Sequence, residues 1–333
     1  MDSVVSNPLN TTVSNPMPDT SVFFDARTAF LFDVFFNCFL IHFLSLLGIV
    51  GNLLNIVVLS RHNQKETTTI ILISLSISDL CSSLFQPFRR LKCLVSHFDV
   101  PGSVTIGSFT FIFIYPITDY FETVSICHVT AIAIERFIAV CFPLHVSQIF
   151  TPHRVKLMIL ILYAYTFAML FPLLLRLSYV EIFNETYNCT IGIVVESKLY
   201  VDNYDSFSFF FDVCVNNAFT TIPIVTIVIC SCIISFKLSK RSSRFLKEKS
   251  KRLKERKVAK MLLTVCIVTV SANLPTAGMY LYSYVYVLRL DSIYIIWEAV
   301  IGNLYQFNAS VNFLIYVTMS SKFAKTYKRL FHQ

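Results

Sequence analysis

Long runs of apolar residues, separated by short polar segments, dominate the chain. We locate seven of them, each close to or above the roughly 20 residues that an α-helix needs to cross a bilayer. Their predicted bounds are Phe30–Ser60, Thr68–Leu91, Ile106–Val140, Val155–Leu177, Phe207–Leu238, Val258–Val287 and Ile293–Met319. The pattern predicts an all-α membrane protein, a bundle of seven transmembrane helices. An apolar stripe among basic residues in "SSKFAKTYKRLF" adds a short amphipathic C-terminal helix at the membrane surface.

The basic residues predict how the bundle is oriented. Most of the 28 Lys and Arg residues lie on one side of the predicted spans, with the largest group in Lys237–Lys260. Cytoplasmic loops carry an excess of Lys and Arg. We therefore expect a plasma-membrane protein with an extracellular N-terminus and a cytoplasmic C-terminus. Glycosylation sequons at Asn10, Asn184 and Asn188 fall on the extracellular side, whereas the sequon at Asn308 lies inside the last span.

Composition supports the membrane class. The 333 residues are 55% hydrophobic and 14% charged, with a mean hydropathy of +0.64, against about 25% charged residues in soluble domains. The net charge of +8 belongs to the cytoplasmic face, where it favours contact with anionic lipid and not with nucleic acid. We divide the chain into an extracellular tail (1–29), a transmembrane domain (30–319) and an interfacial C-terminal segment (320–333).

The ten cysteines form no C-x-x-C motif. Most of them lie within predicted spans, where cysteine behaves as a small apolar residue. Cys93 and Cys189 lie near extracellular connections, and an oxidising exterior would allow them to pair. Whether they do depends on a Cα separation below about 7 Å, which the sequence leaves open.

Five polar residues within the spans carry the clearest chemical information. Asn52 lies in the first span, Asp79 in the second and Ser125 in the third, while Asn308 and Asn312 share one face of the seventh. Intramembrane polar groups need partners, so we expect Asp79, Ser125 and the two seventh-span amides to converge on a hydrated site. Their oxygens suit a hard cation. The prediction is a sodium ion acting as a modulator, with no other cofactor; the alternative is a water-filled cluster around a protonated Asp79.

Short motifs recur in a fixed order along the spans. They are "GN" in the first, "LSISD" in the second, "ERF" and then "FPL" after the third, "NFLIY" in the seventh, and a proline in each of the fourth, fifth and sixth. Together they resemble the rhodopsin-like G-protein-coupled receptors over nearly the whole chain. "SVNFLIYVTMSSKFAKTYKRLF" resembles invertebrate RFamide-like peptide receptors, and "ERFIAVCFPLHVSQIFTPHR" resembles molluscan chemosensory receptors.

The resemblance implies a role for the charged pair in "ERF". Glu135 would hold Arg136 at the cytoplasmic end of the third span in the resting state, and activation would release the arginine to a heterotrimeric G protein. Leu144 would contact the Gα subunit, and Asn312 and Tyr316 of "NFLIY" would belong to the same switch. The alternative is an ordinary arginine that reaches the interface with a local counter-ion.

Several positions depart from the family pattern. Phe137 replaces the tyrosine of the arginine motif, Asn273 replaces a tryptophan, and Phe313 replaces a proline. Phe111 stands where the third span would carry a cysteine. The family's usual disulfide to the second extracellular loop is therefore absent, or Cys93 substitutes as the partner of Cys189.

Charged residues of both signs lie near the extracellular ends of the spans. The candidate pocket residues are Arg90, Thr118, Asp119, Glu122, Asn273 and Glu298. Such a pocket suits a zwitterion or a peptide with a basic group, and the alternative is that Arg90 merely pairs with one of the acids. Amine receptors of the family carry an aspartate at the position of Thr118, so an amine is not the expected ligand.

We therefore predict a receptor that binds an extracellular peptide or small chemosensory molecule and activates a heterotrimeric G protein. No nucleophile–base pair or metal-ligand set predicts an enzyme. The alternative function is a seven-span transporter or channel, against which the odd number of spans and the absence of a visible inverted repeat argue.

Overall fold

The computed structural model describes residues 26–62, 66–241, 249–285 and 292–331. Asn10 and part of the basic segment Lys237–Lys260 lie outside these residues. The α-helices are Ala26–Asp33, Ile41–Ser60, Thr67–Arg89, Leu91–Val95, Val100–Phe113, Tyr115–Cys141, Val146–Ile149, Pro152–Leu170, Lys198–Asp202, Tyr204–Ser208, Ile222–Arg241, Lys249–Val285, Ser292–Met319 and Ser321–Phe331.

These helices form the predicted seven-helix bundle. Six segments are long and apolar enough to cross a membrane: Phe30–Ser60, Thr67–Val95, Tyr115–Cys141, Pro152–Leu175, Tyr204–Lys240 and Lys257–Met279. The seventh span is the 28-residue helix Ser292–Met319, which packs against the first, second and sixth. Fold class and the C-terminal helix are confirmed.

The third span differs from its prediction as a single helix over Ile106–Val140. Two helices, Val100–Phe113 and Tyr115–Cys141, meet at Ile114. The break has a local cause, because Pro116 occupies the start of the second helix, where its missing N–H costs nothing. The first of these helices extends the bundle on the side that carries the β-strands, which we call the hairpin end.

Prolines and π-turns shape the fourth and fifth spans as well. The fourth ends its α-helix at Leu170 and continues as a 3₁₀ turn over Phe171–Leu175 that contains Pro172, and β1 begins at Leu177. The predicted end at Leu177 was therefore too late. The fifth begins with two π-helical segments, Phe209–Val215 and Asn217–Thr221, and π-turns also interrupt the first span over Val34–Leu40.

The second span shows why the helices pack where they do. In "LISLSISDLCSS" its serines, Ser74, Ser76, Ser78, Ser82 and Ser83, are buried together with Asp79. The large apolar side chains Ile77 and Leu84 on the opposite face are exposed. Lipid is as apolar as leucine, so close packing of small residues and interhelical hydrogen bonds drive association. The polar face of this span therefore turns inward, towards the first, third and seventh spans.

A continuous apolar core fills the opposite end of the bundle, which we call the arginine end because it carries Arg136. Its members come from all seven spans and include Val58, Leu75, Ile132 and Leu262, with Val155 from the fourth. The C-terminal helix Ser321–Phe331 closes this core, because its Phe323 is buried and packs against Tyr316. The hairpin end, by contrast, holds the cavity described below.

An antiparallel hairpin covers the hairpin end. Strand β1 (Leu177–Asn184) pairs with β2 (Cys189–Glu196), with Leu177 opposite Glu196 and Asn184 opposite Cys189. The tip places Asn188 in the left-handed region at φ 50°, which asparagine tolerates better than most residues. Asn188 is exposed and Asn184 is partly exposed.

The hairpin is held to the bundle without a disulfide. The N–H of Gly192 donates to the Thr105 hydroxyl at 3.0 Å, and the Tyr179 side chain lies so close to Gly192 that a Cβ there would overlap it. Only glycine permits this approach of ring and strand.

The disulfide joins different cysteines from those considered in the sequence. Cys93 pairs with Cys38 of the first span, with their Cα atoms 5.6 Å apart, and Cys189 is a free thiol. A bridge between Cys93 and Cys189 is therefore wrong for this structure. The reason is topological: the helix Leu91–Val95 turns Cys93 towards the first span, whereas Cys189 starts the strand at the tip of the hairpin.

Peptide mapping should find the bridge between Cys38 and Cys93. We expect mass spectrometry of the non-reduced, surface-expressed protein to recover a linked peptide with Cys38 and Cys93, and to recover Cys189 alkylated. In Cys38→Ser, Cys93 should become alkylated as well. A linked peptide that contains Cys189 would contradict the structure.

Candidate functional site

Asp79 lies at the centre of the bundle, 1% exposed. The Ser125 hydroxyl donates to its Oδ1 at 2.6 Å, and the Asn312 amide donates to its Oδ2 at 2.8 Å. Three of the four residues predicted for a sodium site are therefore in direct contact. Asn308 differs, since its Oδ1 accepts from Thr269 of the sixth span at 2.9 Å.

A small cavity of about 10 Å³ adjoins Asp79, close to the volume that one water molecule occupies. Its lining includes Asp79, Ser125 and Asn308, and also Ser82 and Glu122. Carboxylate, hydroxyl and amide oxygens are the donor set that a hard monovalent or divalent cation takes. The residues present fit the predicted sodium ion.

A larger cavity of about 600 Å³ lies between this point and the hairpin, within the usual range for a small-molecule or peptide side-chain site. Apolar and aromatic side chains line most of it. Its charged lining residues are Arg89, Asp119, Glu122, Arg176, Asp212 and Glu298.

Glu298 of the seventh span is the anion that the two arginines share. Its Oε1 lies 3.4 Å from Arg89 Nη2 and 3.2 Å from Arg90 Nη2. The Arg89 guanidinium also lies over the Tyr115 ring, 4.2 Å from its centroid, in a cation–π contact. The alternative in which Arg90 pairs with an acid is the one observed, and the acid is Glu298.

Two predicted pocket residues do not line the cavity. Arg90 lies behind Arg89, which takes the lining position, because the second span ends its regular helix at Arg89 and the backbone of Arg90 departs from helical geometry. Thr118 is fully buried, and its hydroxyl donates to the Tyr115 carbonyl at 2.8 Å. Both predictions rested on helical spacing alone, and both were wrong as pocket lining.

Asp119 and Glu122 are two acids of the third span that form no ion pair among the described residues. In the part of the chain that the structure describes, no basic group lies within ion-pair distance of either. Glu122 accepts only a long hydrogen bond from Ser82, at 3.5 Å. Both line the large cavity and lie one turn apart on the third span. This wall therefore presents two carboxylates that lack a direct ion pair within the described structure, with Arg89 on the same cavity as their main electrostatic partner.

The floor of the large cavity is polar. Asn273 and Tyr305 line it, and Tyr305 donates to the Thr276 hydroxyl at 2.7 Å. Asn273 donates to the Thr269 carbonyl at 2.8 Å. At position 273 the resemblance implies a tryptophan, and the much smaller amide takes its place beside the Tyr305 ring, which borders both cavities.

At the arginine end, Glu135 is held by a cluster of donors. Arg136 contacts it through Nε at 3.0 Å and Nη2 at 2.6 Å. The hydroxyls of Thr67 and Thr68, in the first turn of the second span, each donate to its Oε1 at 3.0 Å. Arg136 Nη2 also donates to Thr68 Oγ1. The carboxylate is 1% exposed and fully paired, as a buried ion must be.

The other predicted switch residues lie at different places in the structure. Leu144 is 82% exposed in the connection after the third span, available to a partner. Tyr316 is buried, and its hydroxyl has no hydrogen-bond partner among the described residues. Asn312 contacts Asp79, as described above, so the structure places it in the cation cluster and not beside Arg136.

The C-terminal helix is tied to the start of the second span. Lys322 Nζ lies 2.9 Å from both carboxylate oxygens of Glu66, and His62 contacts the Thr326 hydroxyl at 3.2 Å. Burial and the neighbouring Lys322 lower the pKa of His62, so the imidazole is neutral at pH 7. His62 and residues 66–68 thus contact both the arginine pair and the C-terminal helix.

Several site residues were missed from the sequence. Arg90 was predicted for the pocket in place of its neighbour Arg89, and Thr67 and Thr68 were assigned no role beyond the start of a helix. A polar "TTT" at the arginine end of a span was the available signal, since hydroxyls there can satisfy a buried carboxylate. Cys38, inside an apolar run, gave no signal of its own.

The profile of the 7 transmembrane receptor (rhodopsin family) matches residues 51–316. The chain belongs to this family. The match confirms the class that the motifs indicated, a rhodopsin-like G-protein-coupled receptor, and decides against the enzyme, transporter and channel alternatives.

Individual relatives agree on the family and differ in ligand. The chain is 27% identical to the rabbit (Oryctolagus cuniculus) growth hormone secretagogue receptor type 1 over 293 residues, 84% of this chain and 76% of the relative. It is 24% identical to the FMRFamide receptor of Drosophila melanogaster over 313 residues, 88% of this chain and 53% of that receptor. The octopamine receptor beta-1R of the same fly is 31% identical over 131 residues, 39% of this chain and 25% of the relative.

Removing the Thr68 hydroxyl should raise the receptor's basal activity. In Thr68→Val the carboxylate of Glu135 loses a donor, and hydrogen bonds to charged groups contribute about 1.5–3 kcal/mol. We expect several-fold faster ligand-free nucleotide exchange at matched surface expression. The control is Thr318→Val, since Thr318 is exposed and its hydroxyl donates to its own helix. Equal basal rates in Thr68→Val and wild type would contradict this role.

Proposed function

We propose that this receptor resides in the plasma membrane, binds an extracellular peptide with a cationic group, and activates a heterotrimeric G protein. The observation that carries the ligand class is the unpaired acidic wall of the large cavity, Asp119 and Glu122. A buried charge requires a partner. Glu298 contacts Arg89 and Arg90 directly, whereas Arg89 acts on Asp119 and Glu122 only through longer-range electrostatics. A guanidinium or ammonium group on the ligand would complete the pocket.

Cavity shape and family relatives favour a peptide over an amine. The cavity is wide, about 600 Å³, and carries Arg89 and Arg176 on its walls, which suit carbonyl or carboxylate groups of a peptide backbone. Two of the relatives described above are named for a peptide or a secretagogue. The buried Thr118 offers no carboxylate to an amine.

Orientation follows from charge and sequons. The basic segments lie at the arginine end and the described sequons at Asn184 and Asn188 lie at the hairpin end. Cytoplasmic loops carry the positive charge, and glycans are added outside. We therefore place the hairpin end, with its pocket, outside the cell and the arginine end in the cytoplasm, with the C-terminal helix along the inner leaflet.

At the cytoplasmic side, Arg136 and Leu144 are the proposed contacts of the G protein. Arg136 is held in place only by groups of its own chain, Glu135 and Thr68. Its release would expose a cation next to an 82% exposed leucine, a combination suited to a helical partner with an apolar face and a polar end.

A sodium ion is the proposed modulator. Asp79, Ser125 and Asn312 form its core, with Asn308 in the wall of the same cavity. When bound, the ion would neutralise the buried carboxylate and hold the second, third and seventh spans together.

The ligand proposal is tested with short amidated peptides. Cells that express the receptor and a G-protein reporter are given Phe-Met-Arg-Phe-amide and the same peptide with citrulline in place of arginine. Citrulline has the shape of arginine without its charge. We expect a response to at least one arginine-bearing peptide of a panel, and a loss of potency of at least about tenfold with citrulline.

Free amino acids form the second arm of the panel. A response to a free zwitterion, with none to any peptide, would favour the small chemosensory ligand instead. A response that is indifferent to the arginine-to-citrulline exchange would contradict the acidic wall as the recognition element.

A further inference from the structure

The large and the small cavities share part of their lining. Both are bordered by Glu122, Ile126, Asn273 and Tyr305. Three of these four side chains are polar, and none is a tryptophan. The ligand pocket and the Asp79 cavity are therefore neighbours across a thin polar partition.

Glu122 is the acid common to both cavities. Asp79 borders only the small one and Asp119 only the large one. The small cavity thus has two carboxylates in its lining, Asp79 and Glu122, and among the described residues no arginine or lysine is in ion-pair distance of either. Two carboxylates in a membrane-embedded cavity are unfavourable without a cation.

The remaining lining supplies neutral oxygen ligands. Ser82 and Ser125 contribute hydroxyls and Asn308 an amide. The Ser82 hydroxyl also donates to Glu122 Oε1, at 3.5 Å. A further amide oxygen of this cluster, Asn312 Oδ1, is buried without a hydrogen-bond partner in the described structure. Such a set suits a hard cation.

We propose that Glu122 is a second carboxylate for the cation at Asp79 and that it is also the deepest anion of the ligand pocket. The cation and the cationic group of a ligand then compete for one carboxylate. A ligand that reaches Glu122 weakens cation binding through direct charge repulsion, without any rearrangement of the helices. Asn273 borders both cavities, and its small amide keeps the partition between them thin enough for Glu122 to reach both.

The first test needs no ligand. The full-length receptor, purified in nanodiscs, is heated in a series of NaCl concentrations balanced with choline chloride at constant ionic strength. We expect the wild-type Tm to rise with sodium, and Asp79→Asn to show no rise. In Glu122→Gln the half-saturating sodium concentration should increase by roughly tenfold, since ligand-sphere changes commonly cost 10–100-fold in metal affinity.

Asp119→Asn is the matched control. It removes the same charge from the same helix one turn away, but Asp119 does not border the small cavity, so its half-saturating sodium concentration should change much less than that of Glu122→Gln. A wild-type sodium response in Glu122→Gln would overturn the proposal, and so would an equal loss in both variants, which would indicate a general effect of pocket charge. A wild-type Tm that is indifferent to sodium would also overturn it.

If Glu122→Gln cannot be purified folded, Glu122→Asp is the substitute variant. It withdraws the carboxylate by one methylene and should still raise the half-saturating sodium concentration.

The second test uses argininamide as a probe and rests on the proposed function of the pocket. Argininamide should raise the half-saturating sodium concentration of the wild type and leave that of Glu122→Gln unchanged. An equal effect on both proteins, or no effect on the wild type, would contradict the competition. The sodium titration alone does not depend on the ligand class, so failure of the proposed function and failure of the shared carboxylate give different results.

Discussion

Arg136→Ala is expected to abolish G-protein activation while the receptor still reaches the cell surface. The side chain is partly exposed and is held by Glu135 and Thr68, so it is available to a partner once they release it. Its loss removes the cation that the partner would contact. We expect ligand-stimulated nucleotide exchange to fall to the level of cells without the receptor, measured at matched surface expression.

Two further variants separate this effect from misfolding. Without Arg136, the buried Glu135 loses its cation, and breaking a buried ion pair costs about 3–5 kcal/mol, so Arg136→Lys serves as the charge-conserving variant. It should reach the surface normally and restore part of the signal. Arg154→Ala is the control, because Arg154 is an exposed arginine at the same end whose side chain donates to the Gln148 carbonyl. If Arg136→Ala signals at the wild-type level, Arg136 is not required for G-protein activation, and the proposed switch is contradicted.

Neutralising the acidic wall should produce the second large effect. In Asp119→Asn the pocket loses one of the two third-span carboxylates that form no ion pair among the described residues, and truncating one member of a buried charge pair costs about 2–5 kcal/mol. The potency of an activating arginine-bearing peptide should therefore fall by at least about 30-fold. The readout is the concentration–response curve at matched surface expression.

A double comparison identifies the charge pair itself. The citrulline peptide should lose little further potency in Asp119→Asn, because the interaction that it lacks is already absent. Glu196→Gln is the control, since Glu196 is exposed at the end of β2 and does not line the cavity. If the arginine and citrulline peptides lose potency equally on Asp119→Asn, the carboxylate does not pair with the peptide's cation.

The sequence predicted the bundle because the membrane makes a helix nearly obligatory. A run of about 20 apolar residues has no other way to satisfy its backbone in lipid, so the spans could be located from hydropathy alone. Boundaries were less certain where prolines act. Pro116 divides the third span and Pro172 shortens the fourth α-helix, and a smooth hydropathy profile does not show either effect.

The polar cluster around Asp79 was also predictable, for the same physical reason. A carboxylate in the middle of a span must find partners, and few polar residues at that depth were available to it. Ser125 and Asn312 are two of them, and both donate to Asp79. The prediction needed only depth along each helix and the identity of the polar residues.

Where the sequence allowed several partners for one residue, only the tertiary structure decided which residues are in contact. Cys93 could reach several cysteines, and the short helix Leu91–Val95 directs it to Cys38. Arg90 and Arg89 are chemically equal in the sequence, but the end of the helix at Arg89 places that residue in the pocket wall and Arg90 behind it. Both outcomes depend on the backbone geometry at a helix end, where Arg90 has φ −100° and ψ 10°.

By itself, the sequence determined the number of spans, the charged end and the inward-facing polar residues, because each follows from the cost of placing a group in lipid. Whether Glu122 borders one cavity or two was decided only by how the third, sixth and seventh spans pack at Asn273 and Tyr305. Helical periodicity specifies the face on which a side chain lies, but a shared cavity depends on the distances between helices, which the side chains of all three set together.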